Sequence, residues 1–233
     1  MAQLTEQGWA NFFKYYADEE QQVTAVEILR KAIYEADPEI LDDTAYWIEE
    51  YRNKPAPPVY QNPIDCPYQS QCDNKSGTGY RECFSSSCAM VAMYYGKIEN
   101  DDEYNILRNN YGDSTDAQAQ LRTLRSLGLN AQFISNGTLD DLKRQIEKGR
   151  PTPVGWLHKG SAQFPTGGGH YSVILGTTDK NWILHDPYGE CDVVNGVYLN
   201  HTKGKYVEYS MKNWNNRWAV EGDGSGWYVD IWE

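Results

Sequence analysis

Residues 80–96 read Tyr-Arg-Glu-Cys-Phe-Ser-Ser-Ser-Cys-Ala-Met-Val-Ala-Met-Tyr-Tyr-Gly, with Cys83 at the mouth of an apolar helix and Cys88 inside it. Five positions along a helix amount to a rotation of about 140°, so the two thiols meet different surroundings. Cys88, Val91, Ala92 and Tyr95 repeat at i, i+3, i+4 and i+7, the stripe that an amphipathic helix buries. A free cysteine there behaves as a small hydrophobe. Cys83 lies one turn earlier, beside Ser85, Ser86 and Ser87. Unpaired N–H groups and the positive end of the helix dipole favour a thiolate at such a place. The spacing predicts Cys83 as a nucleophile and Cys88 as core; the plain alternative for Cys83 is a buried structural thiol.

A thiol nucleophile needs a base, and the chain has four histidines, His158, His170, His185 and His201. His170-Tyr-Ser-Val-Ile-Leu-Gly and Asn181-Trp-Ile-Leu-His-Asp186 read as two strands, joined by the turn residues Gly176-Thr-Thr-Asp-Lys. Paired as an antiparallel hairpin with a loop of about five residues, they set 170 opposite 186, 172 opposite 184 and 174 opposite 182. Opposed residues share a face at hydrogen-bonding distance, so His170 is expected to be a base oriented by Asp186. His185 points to the opposite face. His158 sits by a loop and His201 in the polar stretch Asn200-His-Thr-Lys.

An acyl-transfer site also needs a donor for the oxyanion, which a side-chain amide supplies together with a backbone N–H. Gln71 lies upstream of Cys83 in Tyr68-Gln-Ser-Gln-Cys-Asp-Asn, with Lys75-Ser-Gly-Thr-Gly between them as a segment able to loop out. Gln69 competes for the role, and both also fit as surface polar residues.

Cys83-Phe-Ser-Ser-Ser-Cys-Ala-Met followed by Tyr94-Tyr-Gly resembles the nucleophile helix of C39-like cysteine peptidases, where Cys-Gly-Pro-x-Ser-x-Ala-Met is usual. Tyr68-Gln-Ser-Gln-Cys-Asp-Asn resembles their oxyanion glutamine segment. Gly169-His170-Tyr-Ser-Val-Ile-Leu-Gly and Asp186-Pro-Tyr-Gly resemble their His and Asp segments, in the order Gln, Cys, His, Asp of papain-like enzymes. The resemblance spans about residues 60–190. It implies a papain-like fold, a Cys83–His170–Asp186 triad and Gln71 as oxyanion donor. Phe84-Ser85 departs from the family's Gly-Pro, and the interval from Gln71 to Cys83 exceeds that of bacteriocin-leader peptidases. The Cys-Phe-Ser-Ser form resembles peptidase domains of bacteriophage endolysins, which implies a peptidoglycan peptidase or amidase acting on the peptide part of the wall. Leader-peptide processing and a catalytically idle peptide-binding module are the competing readings.

The chain has 233 residues, 40% of them apolar and 13% aromatic, enough for a sizeable core. A net charge of −12 argues against nucleic acid and against adhesion to anionic membranes. No apolar run is long enough for a transmembrane helix, and the N-terminus lacks the pattern of a secretory signal. The expected setting is a bacterial host cytoplasm before release to the cell wall, and the expected state is a monomer. Five cysteines at irregular spacing do not form a disulfide framework, and whether Cys66 and Cys72 bridge is left open. No metal-ligand spacing occurs, so neither metal nor cofactor is expected.

Residues 1–60 carry twelve acidic and five basic residues, and Asn53-Lys-Pro-Ala-Pro-Pro-Val-Tyr then marks a boundary. Prolines there favour an extended connector. Residues 1–53 are expected to form a helical N-terminal module. Trp9, Phe12, Phe13 and Tyr16 make one stripe, Val23, Val26, Leu29 and Ile33 a second, and Asp37-Pro38 opens a third segment running through Tyr51. Residues 54–60 are the linker and 61–233 the catalytic domain. In that domain helices are expected at 116–127 and 139–148, closed by Gly128 and Gly149. Strands follow from Pro153 onward, with Gly196-Val-Tyr-Leu and Trp227-Tyr-Val-Asp-Ile-Trp among them. Helices first and strands later is the α+β pattern, with the nucleophile helix packed on an antiparallel sheet. Core packing is the expected role of most of the six tryptophans from Trp156 to Trp232; a sugar-stacking groove is the other.

Overall fold

The computed structural model describes residues 62–233, so the expected helical module and proline-rich linker lie outside the described residues. Helix α1 spans Cys83–Tyr94, α2 Asp101–Arg108 and α3 Ala117–Ser126. Strand β1 (Asn130–Gly137) and α4 (Leu139–Glu147) follow. Then come β2 (Thr152–Trp156), β3 (Lys159–Ser161), β4 (Phe164–Thr166), β5 (His170–Thr177) and β6 (Asn181–His185). The chain closes with β7 (Glu190–Asp192), β8 (Val197–Asn200), β9 (Val207–Ser210), α5 (Met211–Trp218) and β10 (Gly226–Trp232). Six strands form one sheet in the order β1-β10-β2-β5-β6-β9, antiparallel throughout, while β3–β4 and β7–β8 are separate hairpins. This is an α+β fold with the nucleophile helix packed on an antiparallel sheet.

Local chemistry explains the helix ends. Asp116 accepts from Gln118 N at the start of α3, and Thr138 and Asp141 cap each other at the start of α4. Gly128 (φ 83°) and Gly149 (φ 65°) take the left-handed conformation that closes both helices, as the sequence predicts.

The expected one-sided burial of the nucleophile helix is corrected. Every residue of α1 from Phe84 to Ala92 is buried, the three serines included. The sheet has a core on each face, and α1 fills the centre of one of them. It packs against β5 and β2 on one side and α2 and α3 on the other. Water therefore touches neither flank. Two of the three serines are paired there: Ser85 Oγ accepts from Gln120 Nε2 at 2.9 Å, and Ser86 Oγ donates to Asp101 at 2.6 Å, while the buried Ser87 hydroxyl has no hydrogen-bond partner among the described residues. Cys88 is fully buried, as expected. Its replacement by alanine should lower unfolding free energy by about 1 kcal/mol, read from urea melts, and leave alkylation of Cys83 unchanged.

The hairpin register also differs from the expected one. At the turn Thr177 faces Trp182, and continuing that register would set Asp186 opposite Val173, whose side chain belongs to the α1 core. A bulge at Leu175 shifts the pairing by one, so that Ile174 faces Leu184 and Val173 faces His185. The backbone N–H of Ile64 takes the Leu175 carbonyl at 2.9 Å. Asp186 then follows β6 opposite Ser172, two residues from the expected partner. A shift of two preserves the face, so His170 and Asp186 still meet as diagonal neighbours.

Candidate active site

Cys83 is the first residue of α1, and its side chain is partly exposed. Its N-cap residue, Glu82, makes no side-chain bond to the helix. The first N–H groups and the positive helix end are thus left to act on the thiol and on any oxyanion formed there.

His170 opens β5 and is 3% exposed. Its Nε2 bonds Asp186 Oδ1 at 2.7 Å, and the Cys83 sulfur lies close enough to act on the charge of the ring. Since Nε2 is engaged by the carboxylate, Nδ1 is the nitrogen left for the sulfur. Burial alone lowers the imidazole pKa, but the Asp186 charge and the Cys83 sulfur outweigh it and raise the value from 6.5 to about 10. The ring at this site is therefore held as imidazolium across neutral pH.

Asp186 is fully buried and its oxygens are well occupied. Besides His170 it accepts from Tyr188 N at 3.0 Å, Tyr209 OH at 2.9 Å and Tyr198 OH at 3.2 Å. Burial and then the Asp186 charge hold both phenols well above their usual pKa, so they stay donors. Rings surround the imidazole: Trp156 at 5.4 Å, His158 at 5.5 Å and Tyr198 at 5.8 Å between centroids. His158 contributes no competing charge, because burial first and the His170 charge second lower its pKa to about 4.

Gln71 is buried at the head of a 3₁₀ turn, Gln71–Asp73. Its backbone N–H bonds Pro187 O at 2.9 Å, which ties it to the residue after Asp186. Its Nε2 donates to Gly79 O at 2.7 Å, leaving one amide proton for another acceptor. Gln69 instead bonds the carbonyl of its own neighbour, Tyr68.

The interval between Gln71 and Cys83 does not loop out. It wraps the buried Glu82 carboxylate, which accepts from Asn74 Nδ2, Ser76 Oγ and Thr78 Oγ1, each at 2.7 Å, with Arg108 at 3.7 Å from inside. Gly79, which holds the Gln71 amide, closes the same loop. Glu82→Ala would remove the carboxylate beside the buried Arg108 guanidinium and free four donors, Asn105 Nδ2 being the fourth. The expected loss of stability is about 3–5 kcal/mol in urea melts; a change below 1 kcal/mol would show that the carboxylate does not organise this loop.

Other sequence expectations are settled here. His185 lies on the far face, donating from Nε2 to Cys66 O and accepting Tyr206 N at Nδ1. His201 is exposed and bonds Tyr188 O. Cys66 and Cys72 are both free thiols, so they do not bridge. Sequence reasoning missed Glu82, Tyr198 and Tyr209 and set His158 aside. Adjacency to Cys83 was the only available signal for Glu82; the tyrosines reach Asp186 through strand pairing that no local pattern encodes.

A pocket of about 520 Å³ adjoins Cys83, with Phe84, Tyr171, Trp156, Trp218 and Trp227 along its walls. Phe84 and Tyr171 stack with centroids 3.7 Å apart at 4°.

The family model described as Peptidase_C39 like family matches residues 63–220, which include all four expected site residues. A crystal structure described as a C39-like peptidase from Bacillus anthracis superposes with a TM-score of 0.50 at 13% identity, over 73% of this chain and 96% of that one. A double-glycine-motif protease of an AMS/PCAT transporter, solved with its leader peptide, gives 0.47 at 18% identity, over 76% and 98%. The peptidase domain of Streptococcus ComA, a bifunctional ABC transporter, gives 0.46 at 18%, over 65% and 91%. At these identities the likeness is one of fold. No curated protein matches the chain.

Proposed function

The chain belongs to the Peptidase_C39 like family, and on that premise we propose that it is a cysteine hydrolase of the peptide part of peptidoglycan, acting as a bacteriophage endolysin. The observation that carries the chemistry is the buried His170–Asp186 pair at 2.7 Å, with the Cys83 sulfur near enough to raise the same imidazole's pKa. In this reading the Cys83 thiolate attacks an amide carbonyl. The tetrahedral oxyanion is met by the Cys83 backbone N–H and the remaining Gln71 amide proton. His170 gives its proton to the departing amine, a thioester remains on sulfur, and water activated by His170 then releases the acid. Asp186 holds the ring throughout.

The cell-wall substrate is supported by the Cys83-Phe-Ser-Ser-Ser segment and its likeness to phage forms of the pattern. In the same reading residues 1–53 are a helical accessory module on a proline linker, and the protein is a monomer made in the host cytoplasm. Mass spectrometry of purified wall digested with the protein should show new free amino groups in the peptide part. New reducing sugar ends with the peptides untouched would overturn the reading. Cleavage of a double-glycine leader peptide, with walls left intact, would replace the wall by leader processing.

A further inference from the structure

We infer that the pocket beside Cys83 is a saccharide subsite, and that the bond cleaved is the amide joining an N-acetylmuramoyl group to its stem peptide. The inference rests on the peptidoglycan reading above and narrows it to one bond. At about 520 Å³ the pocket suits a ligand of ring size with substituents rather than a single amino-acid side chain. Stem peptides bring alanine, glutamate and a diamino acid, none of which covers aromatic walls. A pyranose does, because its C–H face packs on an aromatic ring while its hydroxyl edge stays polar.

The pocket offers both kinds of surface. Trp227 is 53% exposed, an unusual state for so large an apolar side chain, and lies in the pocket wall. Its orientation is fixed: Phe133 meets its ring at 6.0 Å and 64°, and its carbonyl takes the Trp218 indole N–H at 2.9 Å. Thr115, Ser135 and Ser225 bring hydroxyls to the lining, and Arg81, Arg217 and Glu221 bring charges.

Direction follows from the proton. The amine that leaves must reach His170, which is buried and is not part of the pocket lining. Cys83 itself lines the pocket, so the acyl group it holds lies against that lining. In the muramoyl–peptide amide that acyl group is the lactyl ether of the sugar. Cys83 sulfur bonds the lactyl carbonyl carbon, the C–N bond breaks, and the alanine nitrogen takes the His170 proton. Water then adds its oxygen to the carbonyl carbon and one proton to His170, the C–S bond breaks to return the Cys83 thiolate, and the acid loses its proton to solvent as muramoyl carboxylate.

The test uses the full chain with Cys83→Ala, so that binding is read without turnover. N-acetylmuramoyl-L-alanyl-D-isoglutamine, followed by ligand-observed NMR titration, should bind saturably. L-alanyl-D-isoglutamine, which lacks the sugar, should bind at least tenfold more weakly. Trp227→Ala should erase most of the difference and Trp227→Phe should keep part of it. The wild-type protein on isolated muropeptides should free the stem peptide with an N-terminal alanine. Equal binding with and without the sugar, or cleavage confined to bonds inside the stem, would overturn the inference. Iodoacetamide alkylation of the wild-type protein reads the nucleophile separately: an inert Cys83 defeats the hydrolase reading, while the titration still decides the subsite.

Discussion

Cys83→Ala should bring hydrolysis to background, a loss on the order of 10⁶-fold in kcat, with the fold and the unfolding midpoint little changed. In the proposed mechanism the sulfur is the atom that bonds the carbonyl, and Cys88 cannot replace it, being sealed in the core with its thiol pKa driven up by burial. Cys72 is the exposed rival, but burial of its sulfur, with the charges of Asp73 and Asp186 adding to it, raises its pKa despite the opposing Ser70 bond. Iodoacetamide near neutral pH should accordingly modify Cys83 before Cys72, although Cys72 is the more accessible. His170→Ala should cost about as much as Cys83→Ala, and the double variant no more than either, since thiolate and imidazolium act as one unit. Residual turnover by Cys83→Ala, or first alkylation at Cys88 or Cys72, would defeat the assignment.

Asp186→Asn should reduce kcat/KM by about 10⁴-fold, the scale seen when a triad carboxylate is neutralised with its shape retained. The cause also predicts a pH signature. In the wild-type protein the Asp186 charge holds His170 as a cation up to about pH 10, against a pull downward from burial. Removing that charge takes away the strongest upward influence and leaves burial opposed only by the Cys83 sulfur, so the alkaline limb of kcat/KM should move down. Stability should follow the same group. A histidine whose folded pKa lies above its ordinary 6.5 adds stability that is complete below pH 6.5 and is lost as pH rises toward 10. Urea melts of the wild-type protein should therefore weaken across that window, and those of Asp186→Asn should be nearly flat there. An unmoved alkaline limb would show that Asp186 does not set the charge of the ring.

The site's chemistry was legible because each of its groups sits at the edge of a regular element with a readable period. Cys83 precedes an apolar run, His170 opens a strand after three glycines, and Asp186 closes the next. What surrounds them was not legible. Glu82 draws its partners from residues 74–78 and from Arg108, and the Asp186 carboxylate is finished by Tyr198 and Tyr209. These contacts depend on which loops close and which strands become neighbours, and propensity over a short window carries no such information.

The sequence alone determined the α+β class and the helix-closing glycines Gly128 and Gly149, set by spacing and backbone preference within a few residues, and it named Cys83, His170, Asp186 and Gln71 as candidates for the site. Tertiary structure alone decided that α1 is buried on both flanks, because the sheet and two helices close over it. It also decided that His170 meets Asp186: the turn register would have sent the carboxylate into the α1 core, and the bulge at Leu175, its carbonyl held by Ile64, turns it back. Side-chain direction in a strand alternates with period two, so one residue inserted more than a hundred positions from its tether chooses the face on which the carboxylate stands.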